Sequence, residues 1–356
     1  MTAATEHLAG TRLRDPARDR GWVRTWLYAV ALMIVVMVVV GGATRLTHSG
    51  LSITEWQPIH GVIPPLDAAQ WQDEFDRYQQ IPEYQLLNRG MTLDEFKGIF
   101  WWEWGHRLLG RAIGVVFLLP LLFFIATGRI EKALIPRLVG IFVLGGLQGA
   151  IGWWMVASGL EVRTDVSQYR LAIHLTFACV LLAAILWVAR GLAGRRTATT
   201  PLLRRTATAT VVLVFLQIFL GGLVAGLEAG LIANTWPLMD GSAVPSGLFS
   251  MEPVWRNFFE NPLTAQFDHR LVAYVVLGVA VVQFFLARGS RHARRATTLA
   301  GLVLVQACLG IATLLFAVPL PLALLHQFGA VAVLSHAVLN LRAMHPDRVA
   351  PAAAAA

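Results

Sequence analysis

The residues with types and spacing suited to chemistry gather in Trp101-Trp102-Glu103-Trp104-Gly105-His106-Arg107-Leu108-Leu109-Gly110-Arg111, and a version of this stretch returns as Gln266-Phe267-Asp268-His269-Arg270-Leu271. Glu103 and His106 are three residues apart, so on a helix they share a face. Both stretches stand where a polar connection becomes an apolar run. A carboxylate and an imidazole are costly at the mouth of a membrane segment, and by default they point to function. One such stretch alone would read equally well as an interfacial anchor, because Trp and Arg gather at membrane interfaces. The recurrence favours chemistry.

Two more histidines recur in the same way. His174 stands in Ile173-His174 with Phe177-Ala178, and His326 in Leu325-His326 with Phe328-Gly329-Ala330. Two imidazoles from opposed helices suit axial ligation of a haem iron, and four-helix bundles commonly hold cofactors on side chains from facing helices. Zinc would want a third or fourth ligand. Asp268 and Glu103 are the candidates for that, but zinc explains the duplication less well. His336 rivals His326, yet the repeat does not match it to His174. His7, His48, His60, His292 and His345 fall in loops or tails, and His48 and His60 correspond to Glu228 and Asp240, so no ligand role recurs there. Arg45, Arg107, Arg111 and Arg270 have two open roles. They pair with carboxylates such as propionates, or they snorkel to the interface.

The elements that must position these groups follow from composition. Of 356 residues, 56% are hydrophobic and 14% charged, against about 25% charged in soluble domains. With 12 Trp and 31 Gly, this is a polytopic membrane protein. The net charge of +8 does not indicate nucleic acid, because the basic residues fall in short loops between apolar runs. Apolar runs near 20 residues mark membrane helices, and eight are expected, at 25–43, 106–127, 134–157, 170–190, 207–228, 267–288, 297–317 and 321–342. The N-terminal tail, the loops after the second, fourth and sixth spans, and the C-terminal tail hold 19 of the 29 basic residues. The positive-inside rule makes that side cytoplasmic, with both termini inside and the long connections 44–105 and 229–266 outside. No cleavable signal is expected before the first span, and the acidic residues among the N-terminal arginines argue against a transit peptide. Cys179 and Cys308 both lie in apolar segments, where small-residue packing is expected rather than a disulfide or thiolate site.

The chain repeats itself. Gly41-Gly42, Gly50-Leu51, Trp56, Gly61 and Pro65 reappear 180 residues later as Gly221-Gly222, Gly230-Leu231, Trp236, Gly241 and Pro245, while Gln148 and Gly152 match Gln306 and Gly310. Each unit has four spans, so both point the same way, as in parallel-repeat folds. The expected fold is all-α, with eight transmembrane helices in two tandem four-helix bundles related by a pseudo-twofold axis along the membrane normal. Its expected parts are a tail (1–24), a first bundle (25–190), a cytoplasmic linker (191–206), a second bundle (207–342) and a tail (343–356). Because helices entering from outside carry them, His106, His174, His269 and His326 are expected at one depth, in the first turn or so of their helices, one pair per bundle.

At Gly41-Gly42-Ala43-Thr44-Arg45-Leu46-Thr47, Glu103-Trp104-Gly105-His106-Arg107, Asn234-Thr235-Trp236-Pro237-Leu238-Met239, Asp268-His269-Arg270 and His326-Gln327 the chain resembles the haem A synthase family. These segments span nearly the whole chain. The resemblance implies oxidation of a methyl of haem O to a formyl group through an alcohol, for cytochrome oxidase, in the bacterial inner membrane. It implies that His106 and His174 face the substrate haem, that His269 and His326 ligate a haem b cofactor, and that the family's glutamate falls on Glu103, as a catalytic residue in a general-base or electrostatic role. Implied partners are haem O, haem O synthase, membrane lipid and an electron donor such as a ferredoxin or quinol. A homo-oligomer is an open expectation. The outer loops carry no cysteine pair, which places the chain with the cysteine-free branch of that family. Two other classes stay open: a di-haem electron-transfer cytochrome without product chemistry, and a parallel-repeat transporter without haem. Glu103 is answered by Gln266 in the repeat, and glutamine matches glutamate in size but cannot ionise. The half with the acid is therefore expected to handle protons, and the half with the amide to relay electrons.

Overall fold

The computed structural model describes residues 15–57, 60–194 and 198–345, and its regular elements among them are helices. His7, and Arg12, Arg14, Arg195, Arg196 and Arg348 among the 19 basic residues counted above, lie outside the described residues. In order the chain forms α1 (Pro16–Leu46), α2 (Ala68–Tyr78), α3 (Pro82–Leu86), α4 (Leu93–Ala126), α5 (Ile135–Leu160), α6 (Gln168–Gly191), α7 (Pro201–Gly226), α8 (Asn257–Glu260), α9 (Pro262–Ala287), α10 (Ala293–Leu315) and α11 (Leu320–Met344). Apart from the short α2, α3 and α8, these are eight helices long and apolar enough to cross a membrane. Each coincides with one expected span.

Three helices begin six or more residues earlier than hydropathy suggests, and local chemistry explains why. Asp15 accepts from the Ala17 N–H and Pro16 opens α1, while Thr200 caps α7 ahead of Pro201. At α4 a capping box forms: Thr92 takes the Glu95 N–H and Glu95 reaches back to Thr92. This extension is amphipathic and lies outside the apolar window, so hydropathy alone does not see it. Phe96 and Phe100 point from it into an outer cluster with Leu51, Phe75, Tyr78, Ile81 and Val166. α2 and α3 complete that small outer layer. His106 therefore stands thirteen residues after the start of α4 at Leu93, and His174, His269 and His326 stand six or seven residues into α6, α9 and α11. That corrects the expectation of a first-turn position.

Helix contacts close into two rings. α1 touches α4 and α6, and α5 touches α4 and α6; likewise α7 touches α9 and α11, and α10 touches α9 and α11. The rings meet along α1–α11, α6–α7 and α6–α11. The largest buried cluster runs along this seam, with Leu27, Val30, Ile34 and Val38 of α1, Leu182 and Ile185 of α6, Val214 of α7 and Leu334 and Val338 of α11. α5 and α10, by contrast, bury only a few residues and turn Val143, Leu147, Leu304 and Val305 outward, as lipid-facing helices do. Cys179 is buried, but Cys308 is exposed on α10, so the packing expectation fails for Cys308.

Close approach at the seam depends on paired glycines. A β-carbon on Gly222 would meet the Ala172 backbone at 2.8 Å, and one on Gly42 would run into the Gln327 amide. Gln327 also donates to the Val38 carbonyl across the seam at 2.9 Å. Gln327 follows His326 and Gly42 follows Gly41, against which His106 rests, so this contact joins a histidine-bearing helix of one ring to a histidine seat of the other.

Candidate functional site

Four glycines seat four imidazoles. A β-carbon on Gly41 would lie 2.9 Å from the His106 ring, on Gly152 2.9 Å from His174, on Gly221 3.1 Å from His269, and on Gly310 2.8 Å from His326. Each histidine thus lies against the backbone of the neighbouring helix, with no side chain between. All four remain half-buried rather than sealed. His106 and His174 stand on α4 and α6 of one ring. The His269 and His326 rings face each other with centroids 6.4 Å apart and planes at 80°. A metal–nitrogen bond of about 2 Å on each side would set opposed imidazole centroids on the order of 6 Å apart, so the spacing of this pair suits an iron between two rings. Among the described residues, no three His, Cys, Asp or Glu side chains converge on one point; the histidines come in twos.

Glutamines hold three of the four rings. Gln148 donates to Nδ1 of His174 at 3.1 Å and to its carbonyl at 3.0 Å. Gln306 does the same for His326, at 3.0 and 2.8 Å. Gln217 reaches Nε2 of His269 at 3.3 Å and its carbonyl at 2.9 Å. In all three the amide Oε1 is buried without a partner. Sequence reasoning noted Gln148 and Gln306 only as repeat matches and missed Gln217 altogether. The repeat does not mark it, because 180 residues before Gln217 stands Met37.

Glu103 sits 2% exposed beneath the outer layer. Oε2 accepts from the Ser52 hydroxyl at 2.8 Å and the Ile53 N–H at 2.9 Å, and Oε1 accepts from Arg107 at 3.0 and 2.6 Å. Every partner is a donor, which is what a carboxylate needs when buried. Arg107 in turn donates to the Ile53 and Glu55 carbonyls at 2.8 and 2.9 Å. The carboxylate therefore fastens the loop after α1 to α4 one turn above His106. In the other ring Gln266, 3% exposed, donates to the Ala229 carbonyl at 2.7 Å and accepts from Arg270 at 3.0 Å. The amide serves there because its loop partner is an acceptor.

The remaining candidates divide. Arg270 spans the Ala233 and Thr235 carbonyls, and Arg111 donates to the Gln57 carbonyl at 2.8 Å. Arg45 is drawn to carboxylates across the two rings, with Asp165 at 3.0 Å and Glu228 at 3.4 Å. His336 pairs with the Arg295 carbonyl at 2.9 Å, away from the His269–His326 pair. Trp56 stacks on Trp153 at 5.9 Å, and Trp236 donates to the Tyr274 hydroxyl at 3.1 Å, so both are loop supports.

The fold and the site together define a multi-pass helical membrane protein in which histidines of separate helices are paired within the membrane-crossing region. More narrowly, the chain belongs to the cytochrome oxidase assembly protein family, whose model matches residues 24–338. It is 60% identical to a protein of Chelativorans named heme A synthase, over 96% of this chain and 97% of that one. A heme A synthase of Mesorhizobium japonicum is also 60% identical, covering 96% and 95% of the two chains. One of Brucella anthropi is 56% identical, covering 96% and 98%.

Proposed function

We propose that this chain is a haem A synthase, oxidising a methyl of haem O to a formyl group through a hydroxymethyl intermediate. The observation that carries the reading is the 6.4 Å pairing of His269 with His326, with His106 and His174 of the other ring seated against glycines in the same way, in a chain so similar to proteins of that name. On this reading the two rings are tandem bundles related by a pseudo-twofold along the membrane normal. The α1–α6 half (residues 25–190) takes the substrate, and the α7–α11 half (207–342) holds haem b on His269 and His326. The protein lies in the bacterial cytoplasmic membrane with both termini inside.

Bound haem supplies the redox chemistry, and the protein supplies position and charge. Gly41 and Gly152 let the substrate-side imidazoles approach the helix backbone edge-on, fixing their depth. Glu103, one turn from His106, places a fixed negative charge beside the substrate half. In so dry a site such a charge stabilises positive charge developing on the substrate. Its four hydrogen bonds favour this electrostatic role over a mobile proton carrier. Arg107 holds that carboxylate still. Arg111 and Arg270 stand at the outer rim, where they can meet propionates, while Arg45 ties the two halves through Asp165 and Glu228. The electron donor is a ferredoxin or quinol, and haem O synthase delivers the substrate.

Pigments extracted from cells with and without the gene test this. Haem A should appear only with the gene, with haem O accumulating without it. A purified protein with two low-spin haems and no effect on cellular pigments would instead make it an electron-transfer cytochrome.

A further inference from the structure

The break in the repeat at Met37 has a structural consequence. Three of the four imidazoles carry a glutamine that grips one ring nitrogen and the same residue's carbonyl. His106 has no side-chain hydrogen bond among the described residues. Where the repeat puts Gln217 opposite His269, it puts Met37 on the His106 side. Met37 turns its methyl toward α4, where a β-carbon on Gly110 would come within 3.1 Å of it. A thioether offers no N–H, and this one packs against the helix carrying His106. The ring itself is turned differently. His106 presents Nε2 to Gly41, whereas His174, His269 and His326 present Cε1 to their glycines.

Contacts of this kind matter because a side chain bonded to a metal-ligating imidazole fixes the ring's orientation. Each glutamine Nε2 is shared between a ring nitrogen and that histidine's own carbonyl, so it ties the ring to its helix and holds its rotamer. His106 has no such partner.

We propose that His106 is the ligand that leaves the substrate iron during turnover, and that Met37, in place of a glutamine, is what makes it the weak one. Met37 is a positioning residue in this account, acting by the hydrogen bond it cannot make. The inference rests on the haem A synthase reading. It answers a difficulty in that reading: two permanent histidine ligands would leave no open position at the iron, and chemistry at haem depends on access to one. His174, held by Gln148, stays as the anchor. In the other half both rings are held, which suits a haem that only passes electrons.

Carbon monoxide is the probe, because it binds a ferrous haem only where an axial ligand has left. Full-length protein is purified with both haems and reduced, and CO capture is followed optically. The wild type should take up CO at one haem per chain. Met37→Gln should slow that uptake about ten-fold, the order of one added hydrogen bond. Gln217→Met should open a second CO-reactive haem. Met37→Leu, which keeps the volume and offers no donor, should behave as wild type. Equal CO capture by Met37→Gln and wild type, or a Gln217→Met protein whose second haem stays closed, overturns the proposal. A changed rate in Met37→Leu also overturns it, because the thioether itself would then be acting. If one variant does not fold, the other still decides the question. A purified wild type without haem absorption fails the underlying reading as well, whereas two haems with unaltered CO kinetics fail this inference alone.

Discussion

Arg107 and Arg270 occupy equivalent places in the two halves and hold equivalent atoms. Arg107 donates to the Ile53 and Glu55 carbonyls, and Arg270 to the Ala233 and Thr235 carbonyls, each 180 residues on. Each also holds the side chain four residues before it, Glu103 or Gln266. The bridge is the same, but one has a carboxylate at its centre and the other an amide.

That difference sets the first prediction. In Glu103→Gln the new amide cannot satisfy both sides, because Ser52 and Ile53 donate from one and Arg107 from the other. One buried donor then faces an N–H, at a cost of about 1–3 kcal/mol. Haem A should be lost, with haem O or its hydroxylated derivative accumulating, and membrane abundance should fall modestly. Gln266→Ala should cost far less product. Extracted pigments at matched protein level check both, and near-normal haem A from Glu103→Gln would remove its charge from the mechanism.

Ligand removal is the second. His269→Ala or His326→Ala should abolish the low-spin spectrum of the cofactor haem, since each removes one of the two opposed rings. His336→Ala should leave it unchanged, because His336 meets only the Arg295 carbonyl. Bleaching by His336→Ala with retention in His326→Ala would reverse the assignment in α11.

The seats of the rings give the third. Gly310→Ala would place a methyl 2.8 Å from the His326 ring, and Gly152→Ala one 2.9 Å from His174. Each should displace its own ring and lose low-spin haem in its own half. Gly140→Ala, where a β-carbon meets nothing within 4 Å, should do neither. Absorption spectra of the three purified variants separate these outcomes.

The outer layer should respond to pH. Burial pushes the Glu83 carboxyl up to about 7, an effect opposed by the Tyr78 hydroxyl that donates to it at 3.4 Å. Asp165 and Glu103 push the same way as burial, and Arg45 against it. The folded protein therefore binds the Glu83 proton more tightly than the unfolded chain, whose value is 4.5. Its contribution is fully present below 4.5 and is lost as pH rises through 7, a change of about 3 kcal/mol. Melting temperature should fall across that window and then level off. Glu83→Gln should flatten the dependence, and an unchanged slope in that variant would assign the effect elsewhere.

Topology is the last prediction. A cysteine at Gln80, in the exposed turn after α2, should react with an impermeant thiol reagent applied from outside, while a tag on either terminus should be reached only from the cytoplasm. An externally accessible C-terminus would end the orientation.

The sequence alone determined the eight spans, because a membrane helix must be apolar along its whole length and that property is local. It also determined which histidines form the set, because the repeat marks them without knowledge of contacts. Tertiary structure decided what surrounds them. That Gln148, Gln217 and Gln306 grip the rings while Met37 cannot depends on which helix face meets which, and continuous apolar runs carry no periodicity to tell this. The extension of α4 was likewise hidden, since its apolar face, Phe96 and Phe100, serves an outer cluster whose partners, Phe75 and Val166, are distant in sequence. Glu103 reads along the chain as a lone acid at a helix mouth. Only the return of the loop after α1, bringing Ser52 and Ile53 to its second oxygen, makes it a buried and fully bonded charge.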